Sequence, residues 1–273
     1  MSIEKFGASL LDYEPCHYEP SKLTFRGPQK SLSDPYIAFV GTTETYGKFV
    51  AQPFPSLIEL SLGQTCVNFG CVNAGSDVYL HEQSVLEKCA KARVTVLQVM
   101  GAHNMSNRFY SVHPRRNDRF LAASDAMKGI FPDFDFTDFT FTKHLLLALK
   151  TRAAERFQAV EKELQDAWVA RMRTLADLID GDVVLLWIDQ SVAPGATTAL
   201  GEEPRFVNSN MLDEVAPYFA EVVRVSPSVA AVAQGTKGMV FHPMEKLAAQ
   251  GVIGAMTHEE VAVAVSEVLR DYI

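Results

Sequence analysis

At 273 residues and 48% hydrophobic, the chain is long enough to bury a full core, and a net charge of −8 with 21% charged residues describes a mildly acidic protein. An acidic balance excludes nucleic acid as the main partner, since a phosphate backbone is held by a basic face. No apolar run approaches the ~20 residues of a membrane span, so no membrane partner is expected.

Residues 1–35, rich in Pro, Tyr and Ser, read as an irregular amino-terminal arm, and residues 36–273 as one α/β domain. Met1 to Asp12 carries Glu4 and Asp12 and no long apolar stretch, so it does not read as a signal peptide. The four cysteines, Cys16, Cys66, Cys71 and Cys89, form no CxxC pair. They read as free thiols in a reducing cytoplasm, and no metal or cofactor is expected.

Five short apolar runs read as strands of a parallel sheet buried on both faces: Tyr36–Val40, Cys66–Phe69, Val94–Met100, Val183–Ile188 and Glu221–Val225. Helical patterns separate them. Ser56–Leu62 follows the first run and Val78–Lys91 the second. Glu155–Ile179 is a long amphipathic segment, with Phe157, Val160, Leu164, Trp168, Met172, Leu175 and Leu178 spaced three and four apart. Gly181 is the expected stop, through a positive φ. Ser209–Phe219 and Glu245–Gln250 are shorter helices. The last helix is expected to start at Thr257-His-Glu-Glu260, a Thr-x-x-Glu capping box, and to run to the end of the chain. Strands alternating with helices over this length predict a three-layer α/β/α sandwich with a parallel sheet of about five strands.

Residues 105–150 break the rhythm as an insertion between the third strand and the long helix. The insertion holds Arg108, Arg115, Arg116 and Arg119, then an alternation of Phe134, Phe136, Phe139 and Phe141. Arginine forks suit carboxylate, sulfate or phosphate, so these four are candidate anion-binding residues near a pocket mouth, with internal salt bridges as the alternative. The phenylalanines suggest an added strand or a packing arm, and an insertion of this length serves as a lid or as a homo-oligomer contact.

The first strand ends at Gly41, followed by Thr42, Thr43, Glu44 and Thr45 and closed by Gly47. Delivering hydroxyls at a strand's carboxyl end is how open α/β sheets build sites. This segment resembles the first block of the SGNH/GDSL hydrolases, with Thr42 where the family carries Asp and Thr43 where it carries the nucleophilic Ser. Cys66 to Gly75 resembles the second block, with Gly70 and Gly75 fitting the turn and Asn73 where many members have glycine. Val96 to Asn104 resembles the third, with Gly101 matching and His103 or Asn104 as the side-chain oxyanion donor. The chain as a whole is also similar to an uncharacterised alphaproteobacterial family, which carries no activity with it.

The SGNH resemblance implies a flavodoxin-like strand order and an esterase or acyltransferase acting on a small acyl ester, including one carried by a glycan. Thr43 would be the nucleophile, and Asn104 with the amides near Gly75 the oxyanion hole. His258, at the start of the last helix, would be the base, with His242 or Glu44 as alternatives. No carboxylate stands three residues before either histidine: Ala255 and Met239 occupy those places. A degenerate member, binding an anionic or carbohydrate ligand or a partner protein without turnover, is the competing expectation. Gly41 to Lys48 superficially resembles a phosphate loop, but five residues separate the glycines and Phe49 follows the lysine, which argues against a nucleotide site. A sulfotransferase with a looser loop is a further alternative.

Overall fold

A computed structural model describes residues 10–190 and 199–273. The first nine residues of the expected arm lie outside them. Seven strands occur in chain order: β1 Tyr36–Val40, β2 Thr65–Asn68, β3 Val94–Gln98, β4 Tyr110–His113, β5 Arg116–Ala123, β6 Val183–Ile188 and β7 Glu221–Val225. The helices among the described residues are α1 Thr43–Tyr46, α2 Phe54–Leu62, α3 Ser76–Leu80, α4 Gln83–Ala90, α5 Asp125–Ile130, α6 Thr142–Arg152, α7 Ala154–Leu178, α8 Ser209–Val215, α9 Val229–Gln234, α10 Lys246–Gln250 and α11 Ala255–Leu269. No described helix is long and apolar enough to cross a membrane.

Five strands form one parallel sheet in the order β2-β1-β3-β6-β7, and β4 and β5 pair separately as an antiparallel hairpin. Counting only the parallel strands, the order is 2-1-3-4-5, the flavodoxin-like doubly wound arrangement. The period-two geometry of a strand divides each apolar run between two cores. Ile37 and Phe39, Val94 and Val96, and Val184, Leu186 and Ile188 face one side, where Phe54 and Ile58 of α2 and Val261, Val265 and Leu269 of α11 cover them. Ala38, Val40, Leu97, Leu185 and Trp187 face the other, under α3, α4, α7 and α8. That makes three layers, as the alternation of elements predicts.

The long helix α7 buries Phe157, Val160, Leu164, Trp168, Met172 and Leu175, the expected stripe. Trp168 fixes its height on the sheet, donating from Nε1 to the Met100 carbonyl at 2.7 Å. The helix ends at Leu178, and Gly181 does not adopt a positive φ, so the expected glycine stop is not how it terminates. The capping box is corrected too. Helix α11 starts at Ala255 with Gly254 as its N-cap, leaving Thr257 buried within the first turn. The Glu260 carboxylate accepts instead from the Ser228 amide at 3.0 Å, bracing the start of α9.

The insertion folds as the β4–β5 hairpin, α5 and α6. Its phenylalanines do not form a strand. A short 3-10 turn at Phe136–Asp138 interrupts them, Phe134 is buried, and Phe136 and Phe139 pack against the core, which is the packing-arm alternative. In the arm, Tyr18 and Phe25 pack on Phe69. Arg26 donates to the carbonyls of Gly47, Val50 and Ala51 at 2.6–2.9 Å, tying the arm to the loop beyond α1. The four cysteines are free, and burial raises the thiol pKa of each, to about 12 for Cys71 and Cys89, which keeps them protonated and unreactive.

Candidate functional site: a charged cleft at the carboxyl ends of the strands

The site is organised around Gln98, the last residue of β3 and fully buried. Its Oε1 accepts from the Thr42 amide (3.1 Å), the Thr45 amide (3.2 Å) and the Thr45 hydroxyl (2.6 Å). Two backbone N–H groups fix which end of the side-chain amide is oxygen, so Nε2 faces the Glu44 carboxylate and donates to it at 3.0 Å. Gln190, two residues beyond β6, donates to the other Glu44 oxygen at 3.4 Å. Glu44 is therefore a carboxylate only 5% exposed, held by two neutral amides at the cleft floor. Gly41 permits this, because a Cβ there would sit 2.2 Å from Thr45 Oγ1 and 2.5 Å from Gln98 Oε1. The Tyr79 hydroxyl pins the same turn, 2.5 Å from the Gly41 carbonyl and 2.9 Å from that of Phe69.

Thr43, Asn73 and Asn104 do come together, but in bonds to one another. The Thr43 hydroxyl accepts from the Asn73 amide at 3.0 Å and lies 3.4 Å from Asn73 Oδ1. Asn104 Nδ2 donates to the Asn73 carbonyl at 3.2 Å, and its Oδ1 accepts from the Thr142 hydroxyl at 2.7 Å. The expected oxyanion amides are also occupied. Gly75 donates to Asn117 Oδ1 (3.1 Å) and Gly70 to Asn68 Oδ1 (2.8 Å). Close packing accounts for both glycines: a Cβ on Gly75 would fall 1.6 Å from the Asn104 carbonyl oxygen, and one on Gly70 2.4 Å from the Tyr46 amide nitrogen. Gly101 makes room in the same way for the His103 ring, whose Nδ1 would lie 2.7 Å from such a Cβ.

Neither candidate histidine lines the cleft. Thr257 does, and His258, one residue further round the α11 turn, faces α2 instead. Its Nδ1 accepts from the Phe54 amide at 3.1 Å and its ring stacks on Phe54. Burial, with Arg26 adding to it, holds its pKa down to about 3, so it is a neutral acceptor capping the start of α2. His242 is exposed and caps the 3-10 turn Pro243–Glu245, accepting from the Met244 amide at 3.3 Å. The four arginines of the insertion also stay out of the cleft. Arg108 pairs with Glu163 at 3.3 Å and Arg119 lies over the Phe141 ring, while Arg115 and Arg116 point to solvent at the tip of the hairpin. The tight β4–β5 turn throws the basic run outward.

Among the described residues the cleft encloses about 1050 Å³. Strand ends form its floor, with Asp118 and the start of α6 (Phe141–His144) on one side and α9, α10 and the turn into α11 on the other. Its cations are Lys48, the lysine of the phosphate-loop-like segment, and Lys143 and Arg205, which the sequence did not mark. Arg205 is 9% exposed, forms an ion pair with Glu203, and leaves its buried Nε without a hydrogen-bond partner. Burial lowers its pKa, and Glu44 partly restores it. His103, 6% exposed, also has an unpartnered buried nitrogen, Nδ1. Burial, Arg205 and Lys143 bring its pKa down to about 3, so the ring is neutral. Lys143 is exposed at the cleft, where partial burial and then Arg205 lower its pKa, and among the described residues it has no ion-pair partner. A smaller depression of about 310 Å³ beside the arm is lined by Arg26, Lys30 and Glu59, but its charges already have partners, the latter two at 2.6 Å from each other.

Gln98, Lys143 and Arg205 are the residues that sequence reasoning passed over. For Gln98 a signal existed, as the one amide side chain in the run Val94–Met100. Arg205 lies in an irregular stretch after β6 that offers no periodicity to read.

Fold and cleft together define a doubly wound α/β/α protein with a ligand-sized, charged cavity at its strand ends. The chain belongs to the family described as a domain of unknown function (DUF6473), whose model matches residues 1–273. No curated protein matches it.

Proposed function

We propose that this protein is a binding protein for a small anionic ligand, built on an SGNH-like scaffold and working without ester hydrolysis. The observation that carries the reading is the cationic corner of the cleft. Arg205 is buried with a free Nε–H, and Lys143 stands beside it with no carboxylate partner. Arg205 is already paired with Glu203, but Lys143, exposed at the cleft, repels it and has no carboxylate of its own, and an anion seated between the two would offset that repulsion. The neutral His103 at their side adds no competing charge.

An ester-processing role draws support from the strand order and the glycine turns, but it needs a base at Thr43. The hydrogen bonds of that hydroxyl go to Asn73, and His258 and His242 cap helical turns elsewhere. Titration calorimetry with inorganic phosphate, sulfate and short carboxylates tests the binding reading against Lys143→Ala. Saturable binding that the variant weakens supports it. Turnover of nitrophenyl acetate or butyrate that disappears in Thr43→Ala would replace it with the esterase reading.

A further inference from the structure

The two sides of the cleft differ in chemistry. Among the described residues, the charged side chains that line it (Glu44, Lys48, Asp118, Lys143, Glu203 and Arg205) come from the strand ends, the loop beyond α1 and the side of α6. The opposite wall, built by α9, α10 and the turn into α11, contributes Ala231, Val232, Leu247, Ala248, Val252 and Ile253, with Thr236, Gln250 and Thr257 as its polar side chains and no charged group. Nor does the apolar surface stop at the mouth. Leu247 is 84% exposed, and Met244, one helical turn before it, is 83% exposed. Apolar side chains left open beside a cavity mark a surface that is covered in use.

From this asymmetry, and resting on the anion-binding reading above, we infer that the ligand is amphipathic: one anionic head held by Lys143 and Arg205, and an alkyl or aryl body lying against α9 and α10. A bare inorganic anion would leave the apolar wall wetted. A carbohydrate would match its hydroxyls to Thr236, Gln250 and Thr257 but set the rest against Val232, Leu247, Val252 and Ile253, and each unmatched hydroxyl is penalised. An apolar body satisfies that wall, and the floor supplies the cations its head requires.

The test is a homologous series, measured by titration calorimetry below micellar concentrations: butyrate, hexanoate, octanoate and decanoate, with octyl sulfate and octyl phosphate to sort the head group. Octyl glucoside supplies the same tail without charge, and inorganic phosphate the charge without a tail. Affinity should rise about fourfold per methylene, which corresponds to about 0.8 kcal/mol. Octyl glucoside should bind at least tenfold more weakly than octanoate. Lys143→Ala should weaken every anionic member while keeping the methylene increment. Leu247→Gln, an uncharged change on an exposed side chain, should reduce the increment. Phosphate binding with no dependence on chain length would overturn the apolar body and leave the anion site standing. Equal affinity for octanoate and octyl glucoside would overturn the anionic head and with it the anion-binding reading, and no binding by any member at millimolar concentration would overturn both head and body.

Discussion

Replacing Gln98 by Glu changes one atom of the network at the cleft floor. The Oε1 that accepts from Thr42 and Thr45 is kept, while the Nε2 that donates to Glu44 at 3.0 Å becomes a second carboxylate oxygen. Two carboxylates at that separation cannot both ionise in a buried site, so the folded variant should hold one shared proton. Near neutral pH the unfolded chain holds none, because an ordinary Glu titrates near 4.3. At pH 7 the proton therefore costs up to about 3.7 kcal/mol, at about 1.36 kcal/mol per pH unit, and at pH 5 the cost falls to about 1 kcal/mol. The sign follows from proton counting: the folded variant binds more protons than the unfolded chain above pH 4.3, so its stability relative to wild type drops as pH rises. Urea unfolding of both proteins at pH 5, 6 and 7 measures this. A stability difference that stays constant across those three values, or a variant as stable as wild type at pH 7, would refute the assignment of Gln98 Nε2 to Glu44.

Three other perturbations separate packing from chemistry. His103 and His258 are both held near pKa 3, below the unfolded value of about 6.5, so their contribution is complete above pH 6.5 and is lost as pH falls below it. At pH 5 each should cost about 2 kcal/mol, and His103→Gln should flatten the pH 5–6 slope of unfolding free energy by about 1.4 kcal/mol per unit; parallel slopes would remove the buried neutral imidazole. Gly75→Ala should destabilise by about 3 kcal/mol or more, because its Cβ meets a carbonyl oxygen at 1.6 Å, whereas Gly129→Ala, in open space on α5, should stabilise by about 0.5–1 kcal/mol. Thermal denaturation reads both, and equal effects would contradict the packing account. Thr43→Val should cost about 1–2 kcal/mol by stranding the Asn73 amide, and Thr43→Ser should cost far less; a large loss in Thr43→Ser would mean that the methyl, not the hydroxyl, matters.

The sheet was legible because buried parallel strands write themselves as uninterrupted apolar runs. Tyr36–Val40, Val183–Ile188 and Glu221–Val225 coincide with β1, β6 and β7 to the residue. Boundaries set by tertiary partners were not legible. Helix α11 begins before Thr257 because Glu260 is drawn to the Ser228 amide, and Val78–Lys91 divides into α3 and α4 beside Glu82, which accepts a 2.7 Å bond from Ser21 in the arm. Within the site, the strand-end position of Thr43, Glu44 and Asn104 could be read, but their partners could not. Which hydroxyl meets which amide depends on the rotation of each side chain, and spacing in sequence carries no record of that.

Gly41, Gly70, Gly75 and Gly101 show why glycine turns like those of the SGNH hydrolases need not carry that chemistry. Each lies where two strand-end loops approach closely, and at each an added Cβ would meet a neighbour at 2.7 Å or less. Packing alone demands glycine at all four, whatever the cleft binds. The chemistry depends on different atoms: the donors that remain unpaired once the loops have closed. In a site built for acyl transfer those would be amides aimed at an oxyanion, with an imidazole at the hydroxyl. Here the Gly70 and Gly75 amides are consumed by asparagine side chains, and among the described residues the buried cleft atoms without a partner are Arg205 Nε and His103 Nδ1, with the exposed Lys143 beside them in no ion pair. Removing Lys143 should therefore affect ligand binding more than removing Thr43, although only Thr43 belongs to the pattern.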